Sequence, residues 1–264
     1  MSRADIRLDG KVALITGAGR GLGAIMAKTF AERGADVAIN YATSAKPAMA
    51  VVQEIEKMGR KAIAIQGSVE SKADIDNVFA KAVEHFGKLD IVVNNAGMEA
   101  FAKPEEVTEE LWDKVFNINT RAQFFVGVNA LKYLGRGGRI IFMSSIAAAM
   151  SVPNHALYAA SKSANEGLCR SFAADAGPKG ITANCIAPGG IKTDMFEQNA
   201  WHYAPGGTPE TPISSIEAGI AKLVPLGRVA VPADIARVVM FLSHPDSEWI
   251  NGQIIRLTGG AANA

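Results

Sequence analysis

The stretch Lys11-Val-Ala-Leu-Ile-Thr-Gly-Ala-Gly-Arg-Gly-Leu-Gly23 joins a short apolar run to a glycine-rich turn. The apolar run predicts a buried strand, and the residues from the turn to about Gly34 predict an amphipathic helix. Gly17, Gly21 and Gly23 follow the spacing Gly-x-x-x-Gly-x-Gly, a variant of the dinucleotide-binding fingerprint. Such glycines let the backbone approach a pyrophosphate, whose charge then faces a helix N-terminus. The alternative is a plain strand-to-helix turn without a ligand.

Strand-like and helix-like segments alternate along the rest of the chain. Further strands are predicted at 36–41, 61–66, 89–94, 137–144, 181–187 and 253–257. This alternation indicates βαβ units, and therefore an α/β protein with a parallel sheet. Ligands bind such sheets at the carboxyl ends of the strands, where Gly17, Asn40, Ser68 and Asn95 all fall. We therefore expect these four residues to lie at one cofactor site.

The second predicted strand ends in an amide where a carboxylate is common. Asn40 stands about twenty residues after the glycines, the position at which a cofactor without a 2′-phosphate usually meets Asp or Glu. Without a carboxylate to repel it, a 2′-phosphate can be accepted by Ser44 and the Asn40 region, with positive charge from Arg20. The sequence therefore predicts NADPH, or its oxidised form NADP⁺, as the cofactor. A solvated Arg20 in an ordinary loop is the alternative.

Tyr158 and Lys162 form a Tyr-x-x-x-Lys pair. On a helix, side chains four residues apart rise from one face, and an ammonium beside a phenol favours the phenolate. We therefore expect Lys162 to lower the pKa of Tyr158 and to make it an acid–base catalyst. Ser145 ends an apolar strand, and its hydroxyl could bind a substrate oxygen beside the tyrosine. By itself, the pair is also compatible with two exposed helix residues.

The region that follows the sixth strand loses periodicity and contains several prolines and glycines among aromatic residues. A loop this long in a compact domain is typically functional, so we place a substrate lid at about 191–212. Rings offer flat apolar area, and tyrosine adds a hydrogen-bonding group. The candidates to line an aromatic substrate pocket are Met195, Trp201, His202 and Tyr203. His155 is a further candidate for substrate contact, with an ordinary loop histidine as the alternative.

Composition argues against several classes of function. The 264 residues are 48% hydrophobic, enough for a full core in one domain, and the net charge of +1 does not favour nucleic acid or a membrane surface as partner. We find no apolar run of transmembrane length and no signal peptide, so we expect a soluble, cytoplasmic protein. Cys169 and Cys185 lack ligand spacing and the histidines do not cluster, so neither a disulfide nor a metal site is predicted.

A series of ordered motifs resembles the short-chain dehydrogenase/reductase family. They are Thr16-Gly-Ala-Gly-Arg-Gly-Leu-Gly23, Asn94-Asn-Ala-Gly97, Asn119, Ser145, Tyr158-Ala-Ala-Ser-Lys162 and Pro188-Gly-Gly190. The resemblance covers about residues 8–260. It implies a single Rossmann domain, taken here as 1–264, with a seven-stranded parallel sheet in the order 3-2-1-4-5-6-7 and helices on both faces. It also implies a homotetramer.

The resemblance also implies roles for the matching residues. Tyr158 would be the acid–base residue, and Lys162 would lower its pKa and bind the nicotinamide ribose. Ser145 would orient the carbonyl, and Asn119 would support a proton-relay water.

We further predict which residues hold the two ligands. The cofactor pyrophosphate is expected over Gly21 and Leu22, and the nicotinamide against Lys162, Ile191 and Thr193, while Gly97 belongs to the cofactor wall. The residues predicted to contact substrate are Ser145, His155, Tyr158, Gly190, Met195 and Tyr203.

Within this family, four segments are similar to the fungal polyhydroxynaphthalene reductases and their anthrol and versicolorin reductase relatives. They are 40–44, 119–125, 152–158 and 188–195. Those enzymes use NADPH to reduce polyhydroxylated aromatic polyketides through a keto tautomer, in secondary metabolism. The resemblance therefore implies a small aromatic ketone or polyphenol as substrate.

Two other functions stay open at this point. One is a broader carbonyl or 3-oxoacyl reductase; a carrier-protein substrate would require a basic patch, for which Lys103 and Lys192 are too few. The other is a redox-sensing binding protein that kept the fold without catalysis. Such proteins commonly lose the tyrosine or the lysine, whereas this chain has both.

Overall fold

The computed structural model describes residues 6–204 and 206–261. Within them, seven strands form one parallel sheet in the order β3-β2-β1-β4-β5-β6-β7. The strands are β1 (Val12–Ile15), β2 (Asp36–Tyr41), β3 (Ala62–Gln66), β4 (Leu89–Asn94), β5 (Leu134–Met143), β6 (Thr182–Pro188) and β7 (Ile254–Leu257). The predicted sheet and its strand order are confirmed.

Helices connect the strands and cover both faces of the sheet. They are α1 (Gly21–Glu32), α2 (Ala45–Lys57), α3 (Lys72–Phe86), α4 (Glu109–Phe116), α5 (Ala122–Tyr133), α6 (Ala156–Ala176), α7 (Asp194–Asn199), α8 (Ile213–Leu223) and α9 (Pro232–Leu242). A turn of π-helix at Asn117–Arg121 joins α4 to α5. None of the helices in the described ranges is both long and apolar enough to cross a membrane.

Two hydrophobic cores lie on opposite faces of the sheet. Alternate residues of a strand point to opposite faces, so Ala13 and Ile15 of β1 belong to one core and Val12 and Leu14 to the other. Helices α1, α2 and α9 pack on the first face, and α3, α5 and α6 pack on the second. Burial on both faces explains why the strands read as continuous apolar runs.

The segment from 191 to 212 differs from the irregular loop that its sequence predicts. Helix α7 and a 3-10 turn at Ala200–Tyr203 occupy its first half. Thr193 caps the start of α7, because its Oγ1 accepts the Phe196 N–H at 3.3 Å. Phe196 itself packs in a small core with Ile216 of α8. A helix of six residues is too short to show a period in the sequence, which explains the difference. Position 205 of the predicted lid lies outside the described residues.

Candidate active site

A cavity of about 1280 Å³ opens at the carboxyl ends of the central strands. Most of the residues predicted from the sequence line it: Gly17, Arg20, Gly21, Leu22, Ser44, Ser68, Asn95, Gly97, Ser145, Tyr158, Lys162, Gly190, Ile191, Thr193, Met195 and Tyr203. Four predicted residues are not among those that line it: Asn40, Asn119, His155 and Trp201. The cavity is large enough to hold a dinucleotide and a small substrate together.

The glycine turn forms one end of this cavity. Gly17 and Gly21 have φ of +62° and +56°, in the left-handed region that glycine adopts without strain. A Cβ at Gly17 would lie 2.9 Å from the Cα of Ala96, so the turn packs directly against the loop that follows β4. Helix α1 begins at Gly21 without a side-chain cap among the described residues and without an acidic residue in its first turn. Its first N–H groups are therefore available to a phosphate, which fits a dinucleotide.

Asn40 has a different place from the one predicted. Its side chain is 2% exposed, and its Nδ2 donates to the Gly67 carbonyl at 2.8 Å while its Oδ1 accepts the Gly17 N–H at 3.4 Å. The amide thus joins the glycine turn, β2 and the end of β3 from beneath the cavity wall. We correct the prediction that Asn40 contacts the 2′-phosphate: it shapes the site from behind, because its hydrogen bonds are used by the backbone.

Ser44 and Arg20 remain accessible at the end of the cavity where β2 finishes. Ser44 precedes α2, and its hydroxyl makes no capping hydrogen bond within the described part of the chain. Arg20 lies 3.6 Å from Asp194, and both side chains are more than half exposed. An exposed ion pair of this kind contributes little stability, so its arginine can exchange the carboxylate for a ligand phosphate.

Tyr158 and Lys162 are buried on one face of α6. Burial is the largest cause that raises the pKa of Tyr158; the nearby Glu99 charge raises it further, and a hydrogen bond with Ser145 lowers it. Burial also lowers the pKa of Lys162 to about 8. The Lys162 Nζ lies 5.6 Å from the centre of the tyrosine ring and 3.4 Å from the Met143 carbonyl oxygen.

The pKa of Tyr158 is therefore raised overall in the protein without ligands, and the predicted net lowering is wrong. Loss of water around the phenol is the largest cause of this shift, and Lys162, whose own pKa burial lowers, does not reverse it. A raised pKa keeps the proton on Tyr158, and this protonation state suits a proton donor.

Ser145 and Asn119 flank this pair. Ser145 follows β5 by two residues, and its Oγ accepts the Ala147 N–H at 3.2 Å. Its hydroxyl proton is directed to the Tyr158 oxygen, so a ligand oxygen bound beside Tyr158 could accept it instead. Asn119 lies fully buried in the π-helical turn. Its Oδ1 accepts the Met98 N–H and its Nδ2 donates to the Met98 carbonyl, both at 2.8 Å. Its Nδ2 also donates to Ser161. In this structure the Asn119 side chain holds the loop after β4; a role in a water relay stays a prediction.

His155 is a buried member of an aromatic cluster, and so it is not the ordinary loop histidine that was the alternative. Its ring lies 4.2 Å from Phe101 and 4.7 Å from Tyr158, centre to centre. Burial lowers its pKa to about 4, and the charge of His202 contributes to the same direction. His202 stacks on Phe101 at 3.9 Å. His155 therefore backs the substrate end of the cavity as a neutral ring.

The comparisons with known proteins agree with this geometry. Residues 17–262 match the family model described as Enoyl-(Acyl carrier protein) reductase. The chain is 61% identical over 255 residues to hydroxynaphthalene reductase-like protein Arp2 of Metarhizium acridum, with 96% of each chain covered. It is 54% identical to tetrahydroxynaphthalene reductase PfmaG of Pestalotiopsis fici, over 95% of this chain and 91% of that one.

Among solved structures, a short chain dehydrogenase from Burkholderia cenocepacia in complex with NADP superposes with a TM-score of 0.87 and 38% identity, over 97% of this chain and 99% of that one. The chain belongs to the short-chain dehydrogenase/reductase family. It is therefore an oxidoreductase. The tyrosine–lysine pair and the glycine turn line one cavity, as a reductase of this family requires.

Sequence reasoning missed one charged residue in this short-chain dehydrogenase/reductase. Glu99 lines the cavity two residues after Gly97, and its side chain is 9% exposed. Burial raises its pKa, while the hydrogen bond from Tyr203 and the positive charge of Lys162 lower it. One signal was present in the sequence: a carboxylate shortly after the carboxyl end of a central strand, where ligands bind.

Trp201, which was predicted to line the substrate pocket, stacks on His202 and is not among the residues that line the cavity.

Proposed function

We propose that this protein is an NADPH-dependent reductase that converts the carbonyl of a polyhydroxylated aromatic compound, in its keto tautomer, to an alcohol in secondary metabolism. One observation carries the proposal: Ser145, Tyr158 and Lys162 line the same cavity as the glycine turn, and the rings of His202 and Tyr203 line it too. The two curated relatives described above carry hydroxynaphthalene names, which supports the same substrate class.

The residues at the glycine end fit a nicotinamide dinucleotide. The N-terminus of α1 would receive the pyrophosphate near Gly21 and Leu22, and Ser44 with Arg20 would receive a 2′-phosphate. When bound, such a cofactor supplies the hydride. NADP in the Burkholderia cenocepacia structure supports this choice, as does the lack of a carboxylate at the end of β2.

The chain's own residues supply the proton and hold the ketone. Ser145 shifts its hydroxyl hydrogen bond from Tyr158 to the carbonyl oxygen and thereby orients that oxygen beside Tyr158. Tyr158 keeps its proton because its pKa is raised, and it gives that proton to the oxygen as negative charge develops there. Lys162 remains mostly protonated at pH 7 with a pKa of about 8, and its positive charge stabilises the phenolate that forms.

A second candidate is reduction of an acyl thioester on a carrier protein, which the description of the matching family model favours. Docking of an acidic carrier protein would require unpaired basic side chains near the cavity. Both lysines considered for this role are paired: Lys192 Nζ lies 2.5 Å from Glu217, and Lys103 Nζ lies 3.0 Å from Glu106. These pairs favour a free small-molecule substrate.

Three broader features belong to the same proposal: one catalytic domain, a substrate lid at about 191–212, and a cytoplasmic location. The described part of the predicted lid supports its role in substrate binding, because it contributes Met195, His202 and Tyr203 to the cavity lining. The buried, unpaired thiols of Cys169 and Cys185 are compatible with a reducing compartment.

The test is the loss of NADPH absorbance with three substrates in parallel: a polyhydroxynaphthalene or hydroxyanthraquinone, a simple aryl ketone and a 3-oxoacyl thioester. Each reaction is repeated with NADH. We expect fast turnover of the hydroxylated aromatic compound with NADPH. Turnover of the thioester alone would overturn the substrate class, and equal use of NADH would overturn the role of Ser44 and Arg20.

A further inference from the structure

Glu99 is the acidic side chain closest in sequence to the strand end that carries Asn95 and Gly97, and it lines the cavity together with Ser145 and Tyr158. Its side chain is 9% exposed, so the carboxyl group is largely removed from water. A carboxylate in such a place is costly unless hydrogen bonds compensate it. The groups around Glu99 therefore indicate which ligand it can take.

One hydrogen bond of Glu99 is made within the protein. The Tyr203 hydroxyl donates to Glu99 Oε1, and His155 Nε2 lies 3.3 Å from the same hydroxyl oxygen. Because a phenol has a single proton, and that of Tyr203 goes to Glu99, a hydrogen bond between His155 and Tyr203 requires the His155 tautomer with its proton on Nε2. This tautomer leaves His155 Nδ1 without a proton, in agreement with its lack of a partner among the described residues. The donors run in one direction, from His155 through Tyr203 to Glu99.

The second carboxyl oxygen of Glu99 is available. Within the described residues, Tyr203 is the only hydrogen-bond partner of this carboxyl group, and Oε2 is not among the fully buried atoms that lack a partner. Oε2 therefore opens on the cavity and can accept a hydrogen bond from a ligand. Tyr203, which donates to Glu99, and His202 also line the cavity, so this end of the site carries rings that suit an aromatic ligand.

We propose that Glu99 is a specificity-determining residue that accepts a hydrogen bond from a phenolic hydroxyl on the substrate ring, away from the carbonyl that is reduced. This inference rests on the proposed function and names the feature by which the site distinguishes a hydroxylated ketone from a plain one. Tyr203 and His155 are positioning residues, since they act on the ligand through the Glu99 carboxyl group.

A neutral hydroxyl fits this place better than a cation does. The positive charge of Lys162 acts on Glu99 and would repel an ammonium group bound beside it. A hydroxyl also remains a suitable donor whether or not the carboxyl group is ionised, because a carboxylic acid retains acceptor capacity.

The test compares α-tetralone with its monohydroxylated isomers in the wild-type protein, Glu99→Gln and Glu99→Leu. A hydrogen bond to a carboxylate contributes a factor of about ten to a hundred, so we expect one isomer to exceed α-tetralone in kcat/KM by about that factor. The factor should fall toward one in Glu99→Leu and to an intermediate value in Glu99→Gln. Glu105→Gln removes an exposed carboxylate nearby and should leave the wild-type factor unchanged.

Calorimetric Kd values for the same ketones give a measurement that does not require turnover. A hydroxyl preference that persists in Glu99→Leu, or Kd values that do not depend on the hydroxyl, would overturn the role of Glu99 even if all ketones are reduced. Conversely, binding that depends on both the hydroxyl and Glu99 without any turnover would support Glu99 and contradict the proposed reductase activity.

Discussion

At the scale of single residues, Tyr158 is the proton donor of the proposed reaction. Burial keeps its proton in place, and Tyr158→Phe removes the hydroxyl while leaving the ring that packs against His155. We expect turnover to fall by about 10²–10⁴-fold, with NADPH affinity little changed. Steady-state kinetics and a fluorescence titration check the two quantities. Tyr133→Phe, a change beside Phe79 and away from the cavity, is the control and should retain activity; full activity in Tyr158→Phe would refute the assignment.

The burial of Lys162 in the active site lowers the free energy of unfolding. Its pKa falls from 10.5 in the unfolded chain to about 8 in the fold because it is buried. Below pH 8 both states are protonated and the fold bears the whole cost, about 3 kcal/mol; between pH 8 and 10.5 the folded state loses its proton first and the cost disappears.

The variant Lys162→Met should therefore be more stable than the wild type at pH 7, with a gain that shrinks as the pH rises through 8 toward 10.5. Urea unfolding of the protein without cofactor, at pH 7 and at pH 9, measures the gain. A variant that is less stable at pH 7 would show that the hydrogen bond from Nζ to Met143 outweighs the desolvation of the ammonium.

At the scale of elements, the glycine turn offers a matched pair of substitutions. Gly17 and Gly21 both have positive φ, so alanine at either position costs about 1–2 kcal/mol of backbone strain. A Cβ at Gly17 would also meet Ala96 at 2.9 Å, whereas a Cβ at Gly21 would meet nothing within 4 Å. We expect Gly17→Ala to lower the free energy of unfolding by clearly more than Gly21→Ala does.

The same pair tests where the pyrophosphate binds. If phosphate lies over the start of α1, a methyl group at Gly21 should weaken NADPH binding although the fold tolerates it. Urea unfolding and a fluorescence titration separate the two effects. Equal losses of stability would contradict the close packing at Gly17, and unchanged NADPH affinity in Gly21→Ala would contradict the pyrophosphate position.

At the scale of the whole molecule, we propose a homotetramer. Helices α4 and α5 leave apolar side chains in contact with water: Trp112 is 47% exposed, Phe124 43% and Val128 40%. Phe124 and Val128 lie four residues apart on one face of α5, and exposed apolar residues that share a surface indicate a protein interface. Light scattering of the wild type should give the mass of four chains, and Phe124→Glu should shift the mass downward because it places a charge in the interface. A monomeric wild type would refute the assembly.

Much of this protein was determined by the sequence itself. The alternation of apolar strands and amphipathic helices predicted a parallel sheet, the family resemblance implied its strand order, and the structure confirms both. Gly17, Ser145, Tyr158 and Lys162 could be recognised because each belongs to a short motif placed at a strand end or on one helix face. Such patterns act over a few residues, so they are readable along the chain.

Only the tertiary structure decided the environment of these groups. In the fold, Asn40 is buried and its hydrogen bonds connect neighbouring strand ends. Burial raises the pKa of Tyr158 instead of lowering it. Tyr203 donates a hydrogen bond to Glu99, which is 104 residues away in sequence. Desolvation and charge depend on every element packed around a group, and these elements come from distant parts of the chain. Sequence motifs therefore identified the residues of the reaction, whereas the folded surroundings decided their protonation states and the groups available to substrate.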